Sequence, residues 1–402
     1  MSTNNSRVKK ERIHVLEVLG NAIVGGMENY VRSLIGALPA NEFKISCLCP
    51  YESPITADLR RMGHDVFITP IDPDPTWQSV QTTVGVIRSQ NVQLLHAHLP
   101  PAHILAGLAG ALTQKPVVAT VHGMAGLESV GIQQINNSHL IVICQAAYMQ
   151  VLAYGVPRTK VSLIRNGVDL TRFTPRSDCT ELRTAFRQAV GIPGDAPLIG
   201  LVGRLSWEKG PDQFIRAARV VNKRCSEAHF VLVGEGPFSG ELEELVAELK
   251  LEDRVHFAGL WPDTAVVYPA LDILAQTSRT EGMPLALLEG MACGRPFAGM
   301  GVGGVLEIVE ARSTGLLSAP GDWDGLAHAL LMLLANPEMA TKMGQAARQH
   351  VENEFSLKNT AVQTGALFNR LVQSQNPARR VQPSLPNHKK LLNLNPRMEN
   401  KS

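Results

Sequence analysis

No CxxC pair occurs among the six cysteines, so the commonest zinc and dithiol motifs are absent. Cys47 and Cys49 stand two apart in the apolar run "FKISCLCP", on one face of an expected strand, and read as buried thiols. No apolar run reaches the ~18 residues needed to cross a bilayer, and the N-terminus lacks the apolar core of a signal peptide, which predicts a cytoplasmic protein. Neither a GxSxG elbow nor an HExxH helix is present, which removes the commonest hydrolase templates. A phosphate-cradling loop of the GxxxxGKS/T type is missing by a narrow margin. In "VLGNAIVGGMENYV", residues 18 to 31, Gly20 and Gly25 have its spacing, but Gly26 and Met27 occupy the places of the lysine and the hydroxyl. If this loop handles phosphate, the cation comes from elsewhere in the chain.

Excess charge is lacking too. The net value of +2 hides an asymmetry, because residues 376–402 carry six Lys or Arg against one Glu, and residues 1–12 carry four basic residues against Glu11. The body between is therefore slightly acidic, which argues against a nucleic-acid partner. The basic ends suit either solvated, disordered tails or contact with an anionic membrane surface. With 45% apolar and 18% charged residues over 402 positions, the chain is globular and long enough for two domains, each with its own core.

Short, continuously apolar runs alternate with helical patterns from the start: "IHVLEVL", "FKISCLC", "VQLLHAH", "PVVATVH", "LIVICQ" and "KVSLIRNG". Continuous rather than alternating apolar character predicts strands covered on both faces. After the first, Val31, Leu34, Ile35 and Leu38 follow the i, i+3, i+4, i+7 rule of a helix that stops at Pro39. Near residues 172–195 the pattern loosens into a linker with one short helical segment, and a second series then begins: "APLIGLVG", "HFVLVG", "RVHFAG", "DILAQTS", "RPFAGM". The expected fold is α/β, two Rossmann-like domains in tandem with parallel sheets facing a cleft. The divisions are a basic extension at 1–12, a first domain at 13–180, a second at 181–355, a helix at 356–375 that crosses back, and a basic tail at 376–402.

The missing cations appear in "GRLSWEKG", residues 203 to 210, where Arg204 and Lys209 leave the carboxyl end of a strand around a turn. A forked guanidinium beside an ammonium suits a diphosphate, and the plainer reading is two surface charges on a loop. In "RTEGMPLALLEGMACG", Glu281 precedes a helix start marked by Gly282 and Pro284, and Glu289 follows about two turns later on the same side. Such carboxylates can hold sugar and ribose hydroxyls at two ends of an extended ligand. The plainer reading is a helix-cap acid and a solvated one, although a helix apolar nearly all round leaves Glu289 little solvent face. "DPDP" at 72–75 contains a DxD, which two loop prolines explain more simply. His96 and His98 share a strand face with His103 nearby, but no carboxylate or cysteine is close in sequence, and they read as a structural pair rather than a metal site.

Taken in order, "GGMEN", "HAH", "TVHG", "RNGVD", "GRLSWEKG", "VGEGP", "EGMPLALLE" and "GVGGVLEIV" resemble the retaining glycosyltransferases of family 4, with the GT-B fold, over residues 13 to 370. The resemblance implies transfer of a hexose-type sugar from a UDP-, GDP- or ADP-sugar to a glycan or lipid-linked acceptor, as in envelope, exopolysaccharide or lipopolysaccharide synthesis, without a metal. By position it implies that Gly25 and Gly26 line the donor diphosphate, that Arg204 and Lys209 bind it, and that Glu289 holds the ribose. Glu281 would touch the donor sugar, with backbone N–H groups of Gly282, Met283 and Leu285 around Pro284, which has none. His122 in "TVHG" would stand beside the reacting sugar, Glu307 would close the donor pocket, and Trp261 would reach the base. A phosphorylase or nucleotide-sugar epimerase shares the architecture, and a non-catalytic nucleotide-sugar-binding protein is the third reading.

Overall fold

The computed structural model describes residues 11–23, 25–124, 127–175 and 179–375; the basic ends outside 11–375 lie beyond the described residues. The first domain holds β1 (Ile13–Leu19), β2 (Phe43–Cys49), β3 (Asp65–Ile68), β4 (Leu94–His98), β5 (Val117–Val121), β6 (His139–Val142) and β7 (Val161–Leu163). The second holds β8 (Leu198–Val202), β9 (His229–Val233), β10 (Val255–Gly259), β11 (Ile273–Gln276), β12 (Phe297–Met300) and β13 (Leu316–Ser318). Their sheets run β3-β2-β1-β4-β5-β6-β7 and β10-β9-β8-β11-β12-β13, and the strand pairs are parallel.

The central strands β4, β5 and β9 are buried along their whole length, as continuous apolar runs covered on both faces require. The helix Gly26–Ala37 buries Tyr30, Val31, Leu34 and Ile35 on the stripe its spacing predicts. Two strands escape a search for apolar runs. The edge strand β3, "DVFI", is exposed at both ends, and β13 is only three residues long. None of the described helices is long and apolar enough to cross a membrane.

Strand order reverses direction between β1 and β4 in one sheet and between β8 and β11 in the other. In such sheets the loops leaving the two strands at the reversal diverge to opposite faces and open a crevice. The loops after β1, β8 and β11 are the ones carrying the glycine pair, the cations and Glu281.

The helical segment inside the expected linker, Cys179–Val190, is anchored to the second domain. The enclosed Arg187 guanidinium donates to the carbonyls of Pro193, Gly194, Ala196 and Ala270 and to Asp272 at 2.6 to 3.3 Å. The last described helix, Leu357–Ser374, returns to the first domain, where Phe368 meets Phe43 and His96 edge to face.

Candidate active site

Gly25 caps the helix Gly26–Ala37 with extended backbone and no side-chain hydrogen bond, and within that first turn the buried Glu28 carboxyl, raised by burial, folds back onto its own backbone N–H. A Cβ on Gly26 would meet nothing within 4 Å, which leaves room for a ligand to approach the backbone. Across the cleft, Gly210 ends the cation loop with φ +59°, and a Cβ there would lie 2.2 Å from the Thr277 carbonyl oxygen. Only glycine allows this approach, which the Thr277 hydroxyl seals by donating to the Gly210 carbonyl at 2.7 Å. Arg279 staples the same two loops, donating to the Trp207 carbonyl and pairing in a fork with Asp212.

This clamping brings Lys209 onto Glu281. Its Nζ donates to Glu281 Oε1 at 2.7 Å, and the same oxygen accepts from Gln276 Nε2 at 2.9 Å and Ser278 Oγ at 2.6 Å. Three donors on one oxygen leave the charge oriented and Oε2 available as an acceptor. Arg204, by contrast, is exposed at the cleft and makes no ion pair among the described residues. The two cations expected to work as equals are thus differently engaged: Lys209 pairs with Glu281, while Arg204 makes no ion pair among the described residues and helps to lower the nearby Glu208 carboxyl.

Glu289 lies along the helix Leu285–Ala292 and accepts from Tyr268 Oη at 2.6 Å and Thr264 Oγ1 at 3.4 Å. Burial outweighs these donors and pushes its carboxyl up to about 7. The fold therefore favours the neutral form, a stability contribution complete below the ordinary value of 4.5 and lost as pH rises toward about 7. A vicinal diol donating two hydrogen bonds favours the carboxylate instead. Nucleotide Kd should accordingly rise as pH falls below about 7, approaching about tenfold per unit, and Glu289→Gln should flatten that dependence. Calorimetric titrations of both proteins on either side of neutral pH check this, and equal slopes would remove Glu289 from the ligand.

His122 leaves the end of β5 at the cleft. Burial, with the rings of His98, His96 and His103 near, pushes its imidazole well below the ordinary value, so it is neutral. Gly282 of the second domain presses on it: a Cβ would lie 2.8 Å from the His122 carbonyl oxygen and 3.0 Å from Gly123 Cα. Gly282 therefore belongs to the domain contact and is not among the cleft-lining residues. Gly282→Ala should wedge the two domains apart and lower kcat by up to about 10²-fold, with a smaller effect on Tm, as misplacement by about 1 Å can. An unchanged kcat would show that the contact is elastic.

Glu307 does not line the cleft either. Its Oε1 accepts from the backbone N–H of Gln145 at 2.6 Å, at the start of the first-domain helix Gln145–Ala153, and its Oε2 lies 3.5 Å from Arg165 Nε. A carboxylate there complements the helix dipole and joins the domains instead of closing a donor pocket. Asn166 makes a parallel bridge, donating to the Met283 carbonyl at 2.9 Å. Its motif "RNGVD" signals importance, but no sequence pattern names its partner.

The cleft forms a cavity of about 1310 Å³. Of the residues expected at the site, Gly25, Gly26, His122, Arg204, Lys209, Glu281, Met283, Pro284, Leu285 and Glu289 line it, as does Trp261. Trp261 is half-buried, its indole N–H donating to the Ala258 carbonyl and its ring 4.7 Å from that of Phe186. Glu28, Tyr30, Thr264 and Tyr268 line it as well, and no local spacing marks them as cleft residues.

The absence of a carboxylate near His96 and His98 is an artefact of sequence distance. Register pairs Glu17 of β1 with His96 of β4, and Glu17 Oε2 lies 2.9 Å from both His96 Nδ1 and His98 Nε2. Both are hydrogen-bond separations.

Both halves of the chain match known families. Residues 183–350 match the family described as Glycosyl transferases group 1, and residues 24–172 match Glycosyltransferase Family 4. A D-inositol 3-phosphate glycosyltransferase of Saccharomonospora viridis is 30% identical over 319 residues, covering 69% of this chain and 71% of the relative. A UDP-Gal:alpha-D-GlcNAc-diphosphoundecaprenol alpha-1,3-galactosyltransferase of Escherichia coli is 24% identical over 379 residues, covering 89% of this chain and 95% of the relative. In fold, the chain is similar to Anabaena Alr3699/HepE, solved in complex with UDP-glucose, with TM-score 0.79 and 21% identity over 89% of this chain and 99% of that one. With two parallel-sheet domains meeting at their strand-order reversals and both halves matched in sequence, the chain belongs to the group 1 glycosyltransferases of GT-B fold.

Proposed function

We propose that the protein transfers a hexose-type sugar, with retention of anomeric configuration, from a nucleoside diphosphate sugar to a glycan or lipid-linked acceptor in the assembly of a cell-surface glycan. The observation that carries this reading is a single cleft lined from one side by the glycine turn at Gly25 and Gly26, where a helix begins, and from the other by the exposed Arg204, an arrangement that suits a diphosphate. Glu289 then takes the ribose, and Glu281 Oε2, with the N–H groups of Met283 and Leu285, takes the donor sugar beside His122. The donor domain keeps its grip through Lys209, which holds Glu281 aimed.

When the bond from the anomeric carbon to the diphosphate breaks, negative charge grows on the leaving oxygens. Fixed positive groups there stabilise the transition state more than the ground state. The acceptor oxygen forms its bond to the same face of the anomeric carbon, and its proton passes to the departing phosphate. Helix N-termini and Arg204 supply the charge, so transfer proceeds in EDTA. Relatives named as inositol phosphate, mannosyl and lipid-linked galactosyl transferases support a nucleotide-sugar donor and leave a hydroxyl-bearing acceptor as the common element.

The test is thermal unfolding with UDP, GDP and ADP, each in EDTA, followed by nucleoside diphosphate release from UDP-glucose, GDP-mannose and ADP-glucose. A nucleotide at 100 times its Kd adds about 2.7 kcal/mol to the state it binds. Stabilisation by one nucleotide names the donor class. No shift with any of the three, or phosphorolysis without an acceptor, overturns the reading.

A further inference from the structure

A chain of three polar groups, the first two buried, leads from the core of the first domain to the cleft. Glu17 Oε2 lies 2.9 Å from His98 Nε2, and His98 Nδ1 lies 2.8 Å from His122 Nε2. Glu17 and His98 are fully enclosed. Tyr30 seats both imidazoles edge-on, its ring centroid 5.1 Å from that of His122 and 6.4 Å from that of His98. The chain crosses three adjacent strand positions, from β1 through β4 to the end of β5.

The contacts and burial of these groups set the order of protons along the chain. Burial would raise the Glu17 carboxyl, but its contacts with His96 and His98 outweigh it and hold it at about 2, so Glu17 is ionised and can only accept. His98 Nε2 therefore carries a proton. Burial, reinforced by His96, pushes His98 down to about 4, so it is neutral and its Nδ1 bears a lone pair. Across 2.8 Å, that lone pair requires the proton on His122 Nε2. Neutral His122 is left with Nδ1 as an acceptor.

We propose that Glu17 and His98 are positioning residues for sugar transfer: through the Glu17–His98–His122 chain they impose the Nε2–H tautomer on His122 and fix its ring at the cleft, where Nδ1 accepts from a hydroxyl of the donor sugar. The proposal rests on the transferase reading for the identity of the ligand, but not for the tautomer. Glu17→Gln keeps the shape and removes the obligate acceptor, since an amide can turn its NH₂ toward His98 and reverse the whole chain.

Two-bond proton–nitrogen spectra of histidine-labelled protein read the tautomer directly. The wild type should show neutral His122 protonated on Nε2, and Glu17→Gln a mixture. In EDTA, nucleoside diphosphate release from the nucleotide sugar that the wild type uses should fall about 10- to 100-fold in kcat for Glu17→Gln, with the Kd of the free nucleotide unchanged. Thr120→Val is the control, because Thr120 Oγ1 contacts His96 Nε2 in the same buried cluster without touching the chain; it should keep near wild-type kcat.

His122 protonated on Nδ1 in the wild type, or equal losses in Thr120→Val and Glu17→Gln, would overturn the proposal. So would loss of activity in EDTA restored by zinc, which would make Glu17, His96 and His98 a metal site. Should Glu17→Gln fail to fold, the wild-type spectrum alone decides. Absence of turnover with every nucleotide sugar sinks the transferase reading and leaves the tautomer measurement standing.

Discussion

Replacing Arg204 by alanine should lower kcat by about 10²- to 10³-fold, the usual cost of removing one preorganised charge from a developing anion. The structure singles out this residue over Lys209. Lys209 lies 2.7 Å from Glu281, so its loss unbalances a carboxylate as well as a ligand, whereas Arg204 stands exposed at the end of β8 with no ion pair among the described residues. Arg204→Ala should leave the Tm of the free protein unchanged for the same reason. What disappears is the added stability from nucleotide. Arg204→Lys keeps a charge but loses the fork and should fall between. Steady-state nucleoside diphosphate release and unfolding with and without nucleotide measure both halves. An unchanged kcat with only the acceptor KM altered would mean that the diphosphate lies elsewhere.

Removing Arg187 should have the largest effect on stability, about 3 to 5 kcal/mol, the range for breaking a buried charge cluster by deleting one partner. Arg187 is 0% exposed and its guanidinium serves four backbone carbonyls and Asp272. Alanine leaves these acceptors facing an empty space of arginine size, and an ammonium from Arg187→Lys has too few donors and the wrong geometry to replace the fork. The site groups lie elsewhere, so any Arg187→Ala protein that folds should keep wild-type kcat at low temperature. Urea unfolding monitors the loss. A shift within about 0.5 kcal/mol, the size of an ordinary surface substitution, would show that water takes over these carbonyls.

Both results bear on how the second domain is built. The cation loop and the linker helix are held by arginines reaching backbone carbonyls, Arg279 at Trp207 and Arg187 at residues 193–196. In each case a planar, multiply donating group satisfies irregular backbone that cannot pair in a sheet. Arg348 repeats the device, donating to the Phe173 and Ala292 carbonyls where the chain leaves the first domain. The glycine positions are the converse. Gly210 and Gly282 permit loop backbones to touch where a Cβ would force them apart.

Much of this was legible in the residues themselves. Continuous apolar runs require cover on both faces and so predict parallel sheets, and the order of motifs along 402 residues is enough to resemble one transferase family. Local spacing also placed Glu289 on a helix that leaves it little solvent face, and it is half-buried. The roles of Glu281, Lys209, Gly282 and Glu307 were not legible in the same way, because each is defined by a partner from another segment. Lys209 meets Glu281 across 72 positions, and Glu307 meets Gln145 across 162. Glu17 and His98, 81 positions apart, become neighbours only because β1 pairs with β4 in one register. Periodicity and motif act over a few residues and determined the strands, the helices and the family. Which charge is neutralised, which glycine joins the domains and which nitrogen of His122 carries a proton depend on strand order and domain contact, and only the tertiary structure decided them.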